Sequence, residues 1–429
     1  MRRSRSTYRK WLPAVWLLVV FTACARELPE DWRAWIAGHH HRLSSLTDTD
    51  NFSDLAFLDE LLSGRRILQL GENGHGVAEF NQIKVRLIRY LHEQLGFNVL
   101  AFEANFFTCL QIDNRLADLS AETAMSACIP RVWRTDELLG LFSYVKGTRD
   151  SHTPMHVVGF DVIPALSLRA QAEYFRGLVQ PIDPSYADEV ARFDSVTVDR
   201  LLAEDFDYVL ENEDRMVKAY RALATFFDQS IDDLSRSPTQ AREWALAAQA
   251  ARSMVAFVQQ GAADIRDHDS PLASFLRDSA MAENVLFLTD EIFPEERFVL
   301  WAHNVHVRNG GEQVAPFYNK SMGQWLVEWR RNDVFTLGLF MASGTALRND
   351  GRVYDIEVPK TGDLESILQS VGYPWHVVDL NGTPRRAGTE WVFTPRVGGR
   401  NGTREERFVP AEQYDALLFI DEVNPARRR

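Results

Sequence analysis

The chain is short of positive charge: 47 Lys and Arg against 60 Asp and Glu give a net charge of −13 over 429 residues. That balance argues against nucleic-acid binding or docking on anionic lipid, which need a basic surface, and is compatible with a cationic small substrate. Long hydrophobic runs are lacking too. The apolar stretch Trp11 to Phe21 is too short to span a bilayer as a helix. Preceded by Arg2, Arg3, Arg5, Arg9 and Lys10, it reads as a secretory signal peptide. Cysteine is scarce, with only Cys24, Cys109 and Cys128. The signal ends Phe21-Thr22-Ala23-Cys24, which resembles a bacterial lipobox, so Cys24 is the expected lipidation site once residues 1–23 are removed. That cleavage takes away five basic residues and no acidic one, moving the net charge from −13 to −18. Ala25 points to the outer membrane, and thus to a lipid-anchored location in the cell envelope, on the periplasmic face. Cys109 and Cys128 could pair in an oxidising compartment or remain buried thiols, and the sequence leaves both open.

Internal repeats and low-complexity tracts are absent. So are the Gly-x-Ser-x-Gly nucleophile elbow, the phosphate-cradling P-loop and the His-Glu-x-x-His zinc helix, which removes the signatures of common serine hydrolases, kinases and zincins. Carboxylates and histidines without an obvious nucleophile remain. That composition suits hydrolysis by an activated water.

The most informative stretch is Gly71-Glu72-Asn73-Gly74-His75-Gly76, between the apolar run 66–70 and a periodic segment, Phe80, Ile83, Leu87, Ile88, Leu91, Leu95. The pattern predicts a strand, a glycine turn and an amphipathic helix closing at Gly96. Three more apolar runs stop at ionisable groups: 98–102 at Glu103, 155–160 at Asp161, and 297–301 just before His303 and His306. Four strands delivering titratable side chains to one face predict an α/β fold, a parallel-sheet core with its active site at the carboxyl ends of the strands. Residues from about 166 to 288 read as a mostly helical insert acting as a lid, and 334–340, 375–380 and 414–420 as further strands. The expected organisation is a signal peptide over 1–23, a tether and first helix over 24–50, and a catalytic domain over 51–425. His39-His40-His41 reads as solvated linker.

Glu72 and His75 lie three apart in a turn, so the carboxylate can orient the imidazole as a general base. His303 and His306 can both reach one pocket, as metal ligands or as acid, base and oxyanion donor. Glu103 is a candidate second base, orienting group or ligand, and Asp161 follows the same logic.

Together with Trp133-Arg134-Thr135-Asp136-Glu137-Leu138, Gly159-Phe160-Asp161, Arg277 to Asn284, Trp301 to His306, Ser321-Met322-Gly323 and Tyr414 to Glu422, the glycine turn and the strand ending Ala101-Phe102-Glu103-Ala104 resemble the erythromycin esterase family over about residues 50 to 425. The resemblance implies an α/β core with a helical insert and hydrolysis of a macrolactone ring. It also implies that His75 activates water, that Glu72 and Glu103 orient it or share its proton, and that His303 and His306 complete the pocket. Lys84, where the family carries a basic residue, would meet developing negative charge, and Trp133 and Asp161 would meet substrate. The expected partner is a small-molecule ester or lactone, with no cofactor. Two alternatives stand beside this reading: a divalent metal held by His75, His303 and His306, or a lipoprotein that binds a ligand or haem without turnover.

Overall fold

The computed structural model describes residues 27–163, 169–234, 237–268, 270–310 and 320–429. Cys24 and the expected signal peptide lie outside them. Strands β1 (His40–Arg42), β2 (Ile67–Leu70), β3 (Val99–Asn105), β4 (His156–Asp161), β5 (Phe298–Trp301), β6 (Val334–Leu347), β7 (Val353–Asp355), β8 (Trp375–Asp379) and β11 (Ala416–Val423) form one sheet. Its order is β1-β8-β11-β6-β2-β5-β3-β4, with β7 paired to β6. The six strands from β11 to β4 run parallel, and β8 and β1 add an antiparallel edge. Outside this sheet, β9 (Arg396–Arg400) and β10 (Thr403–Phe408) make a separate hairpin.

Strand alternation explains the layers. Phe298 and Leu300 point into one apolar cluster while Val299 and Trp301 point into another, and Val99/Ala101 and Leu100/Phe102 divide in the same way. Both faces of the parallel strands are therefore covered, which is why these strands read as unbroken apolar runs. The five long helices between Arg169 and Phe287 cover the first face. The helix Ala78–Leu95 packs on the second through Phe80, Ile83, Leu87, Ile88 and Leu91 and stops at Gly96, which takes φ +68°.

The histidine run departs from the linker expectation. His40 and His41 belong to β1, on the sheet edge, and His39 and His41 stack on Trp35 and Phe57. Three imidazoles are accommodated there because flat aromatic neighbours cover them. Cys109 and Cys128 form a disulfide that ties the helix Phe106–Asn114 to the end of the helix Ala121–Cys128.

One buried acid in the insert is not part of any site. Asp194 is fully buried, accepts hydrogen bonds from Gln171 (3.1 Å) and Tyr220 (2.8 Å), and has no cation beside it among the described residues, so burial raises its pKa from 3.8 to about 6. A carboxyl whose folded pKa lies above its unfolded value loses stability as pH rises from about 4 through 6. Asp194→Asn is therefore expected to raise Tm at pH 7.5, by at most about 3 kcal/mol in stability. Calorimetry at pH 7.5 and pH 4 checks this, since the gain should vanish at the lower pH.

Candidate active site

Gly71 to Gly76 form the turn between β2 and the helix Ala78–Leu95. Gly71 passes so close to Asn304 that a Cβ there would lie 2.0 Å from Asn304 Oδ1, and Gly76 takes φ +71° against the Leu347 carbonyl. Only glycine fits both positions. Asn304 locks the turn to the exit of β5: its backbone N–H donates to the Glu72 carbonyl at 2.7 Å and its side chain to Leu339 O at 3.0 Å.

The Glu72 carboxylate is buried and holds three donors. His75 Nδ1–H reaches Oε1 at 2.7 Å, Trp133 Nε1–H the same oxygen at 2.9 Å, and Lys84 Nζ reaches Oε2 at 2.7 Å. Burial alone would raise its pKa, but Lys84 and then His75 outweigh burial and bring it down to about 2. Glu72 thus stays ionised. Its bond to Nδ1–H leaves His75 Nε2 as the basic nitrogen, and His75 lines a cavity of about 940 Å³.

A second cluster closes the other side. Glu103 accepts the His303 backbone N–H at 3.0 Å and Arg277 Nη2 at 2.9 Å. Arg277 also grips Asp161 with Nε at 3.0 Å and Nη2 at 2.6 Å. His306 donates Nδ1–H to Asp278 at 2.9 Å and lies 3.3 Å from Glu103 through Nε2. Burial opposes its charge, but Asp278 and Glu103 prevail and raise its pKa to about 9. As an imidazolium it directs Nε2–H at Glu103, which excludes acceptance of an Arg277 proton at the same nitrogen. Glu103 is held well below the usual carboxylate range, where His306 and then Arg277 overcome its burial.

His303 differs from both. Its Nδ1 accepts the Val305 N–H at 3.2 Å, so the ring proton sits on Nε2 and donates to Asn401 Oδ1 at 3.1 Å. Burial, then His75 and Arg400, keep its pKa well below 6.5, so it is neutral. Its ring centre lies 5.1 Å from that of His75. Asn401 stands at the tip of the β9–β10 hairpin with φ +48°, and its backbone N–H donates to Asn73 O at 2.6 Å. Gly399 in the same hairpin accepts Asn73 Nδ2 at 3.2 Å.

His75, Glu103, Asp161, His303 and His306 thus line one cavity, with the buried Glu72 bonded to His75 behind its wall, whereas Lys84 stands elsewhere than expected. Lys84 is wholly buried behind Glu72, with its ammonium over the Trp301 ring, and does not line the cavity. Trp133 borders the cavity but uses its only polar atom on Glu72. Arg277, Asp278 and Asn401 were not among the sequence candidates. Of the three, Asn401 carried a local signal, the Asn-Gly pair of a tight hairpin turn.

A divalent metal does not suit these donors. His303 has both ring nitrogens engaged, His306 is bracketed by two carboxylates, and only His75 Nε2 is left. Among the described residues no three ligating side chains are disposed around one point.

An ionised carboxylate that aims a histidine into a cavity beyond the carboxyl ends of parallel strands is an arrangement of α/β proteins that suits proton transfer at a bound molecule. The chain belongs to the erythromycin esterase family, whose model matches residues 92–423, and is accordingly a hydrolase. The Gly71–Gly76 turn precedes that match, so its place in the site rests on the geometry. YbfO of Bacillus subtilis (strain 168), provisionally named a hydrolase, is 28% identical over 95% of this chain and 94% of its own length. A Bacillus cereus crystal structure superposes with TM-score 0.78 at 19% identity, over 93% of this chain and 98% of that one. An erythromycin esterase EreC mutant in its open conformation gives TM-score 0.69 at 17% identity, over 91% and 98%. At such identities the structures speak for the fold alone.

Proposed function

We propose that the chain hydrolyses a carboxylic ester or lactone with a water activated by His75. The observation that carries this is the 2.7 Å bond from His75 Nδ1–H to an ionised Glu72, which leaves Nε2 as the base facing the cavity. Nε2 takes a proton from water as its oxygen attacks the carbonyl carbon. Glu72 stabilises the imidazolium, which then passes the proton to the leaving alkoxide. The neutral His303 Nε2–H, by turning from Asn401, donates to the tetrahedral oxyanion. Glu103, His306 and Arg277 hold the His303 backbone and position this donor.

Two features support a proposed location in the cell envelope: the lipobox-like segment ending at Cys24, and a disulfide of the kind that persists in oxidising compartments. The lipid anchor is tested by the intact mass of the mature N-terminus. The activity is tested by mass spectrometry of macrolides, simple esters and lactones incubated with the intact chain, with and without chelator. The family name makes a macrolactone the first compound to try. Gain of one water on any of them, undiminished by chelator, is the expected result, and no turnover across the panel would overturn the reading.

A further inference from the structure

The cavity is lined by Arg131, Arg134, Arg277, Arg348, Arg352 and Arg400, against three carboxylates, Glu103, Asp161 and Asp350. This inverts the charge of the chain, which is −13. The three carboxylates are already engaged: Glu103 and Asp161 by Arg277, and Asp350 by Arg352 at 2.6 Å. Arg400 faces Glu406 at 3.8 Å, and Arg348 lies over the Tyr354 ring. Arg131 and Arg134 are different. Among the described residues neither makes an ion pair, and the one side-chain hydrogen bond between them runs from Arg134 Nε to Ile129 O at 3.0 Å.

Arg131 opens and Arg134 follows the short turn Arg131–Trp133, whose last residue is bonded to Glu72. The turn follows directly on the helix ending at the disulfide residue Cys128. Two like charges are thus fixed on one rigid segment beside the proposed base. Burial, then the neighbouring Arg131, lowers the pKa of Arg134, the mark of a cation crowded by another without an acid to relieve it. A guanidinium left with open N–H groups suits an oxyanion, which it can bind through two parallel hydrogen bonds.

We propose that the substrate of this site carries an oxyanion group, a carboxylate or a phosphate, bound by Arg131 and Arg134 on the cavity wall beside Trp133. The site rests on the hydrolase reading for the fate of the bound molecule and not for its recognition. It replaces the cationic substrate that net charge alone favours, since the local field at the cavity and not the summed charge selects what enters.

Recognition is tested without turnover, by calorimetric titration of the intact chain with inorganic phosphate and with succinate at low ionic strength. Saturable binding of at least one is expected, and which of the two binds separates the phosphate from the carboxylate source. Binding should weaken by roughly tenfold or more in R131Q/R134Q, the scale of a lost charge-assisted bond. Arg131→Glu supplies a variant at an exposed position, where loss of binding with an unchanged melting curve separates recognition from folding. Absence of binding by either anion, or equal binding by wild type and both variants, overturns the proposal. Paired esters, neutral and carboxylated, then read kcat/KM: a wild-type preference for the charged partner that Arg131→Glu reverses supports it. Equal hydrolysis of both partners, unchanged in Arg131→Glu, would sink the anion site and leave the hydrolase reading standing. Anion binding without hydrolysis of any ester would do the opposite.

Discussion

His75→Ala is expected to lower kcat by about 10³, within the range a positioned general base supplies, with KM changed little. The site makes this a clean substitution. Glu72 keeps Lys84 and Trp133 as donors when the imidazole is removed, so no buried charge is stranded. Glu72→Gln is not equivalent, because it leaves the Lys84 ammonium buried beside an amide. The check is kcat at saturating substrate together with a melting curve: His75→Ala should melt with the wild type, and Glu72→Gln should melt below it. If His75→Ala kept full turnover, His75 would not be the base.

Arg277→Met is the substitution with the largest expected effect on folding. The guanidinium bridges Glu103 and Asp161, and its removal leaves two buried carboxylates facing each other with His306 as the nearest cation. Breaking a buried pair from one side costs about 3–5 kcal/mol. The pH dependence has a definite sign. Glu103 is depressed in the folded state, so it contributes stability above its unfolded value of 4.5, and that contribution is lost as pH falls. Without Arg277 this depression shrinks, so the deficit of the variant should be full at pH 7 and diminish below pH 4.5. Denaturant midpoints at the two pH values measure it. Arg277→Lys should recover only part, since one ammonium cannot reproduce the two-oxygen grip on Asp161.

The parallel strands were legible because burial on both faces makes each a short unbroken apolar run, and the residue where the run stops lies within two positions of the strand's carboxyl end. Glu103, Asp161 and His303 were found by that rule, and Glu72 with His75 by the glycines around them. Arg277 and Asp278 open a stretch that the family resemblance includes, but they sit in the middle of a helix whose local pattern is that of ordinary amphipathic sequence, so neither acquires a role from it. Nothing local distinguishes an arginine that meets carboxylates 116 and 174 positions away from one that meets water. Lys84 stands out only through the family resemblance, and helix periodicity does not say that its face turns behind Glu72. The β9–β10 hairpin was missed because Val397-Gly398-Gly399-Arg400 lacks the apolar alternation of a half-buried strand, and β1 because histidines rarely signal an edge strand.

The long reach of these contacts has a kinetic consequence. The bond from Glu103 to His303 joins residues 200 positions apart, and that from His303 to Asn401 spans 98 more. Loops of that length close late, after local helices have formed, because chain entropy must be overcome before the contacts reward it. A refolding chain should therefore regain helical circular dichroism well before it regains a working pocket. Activity in this enzyme is in that sense a report on the completion of the whole fold, and a proteolytic cut in the Asn401 hairpin would silence it while most of the helices stayed intact.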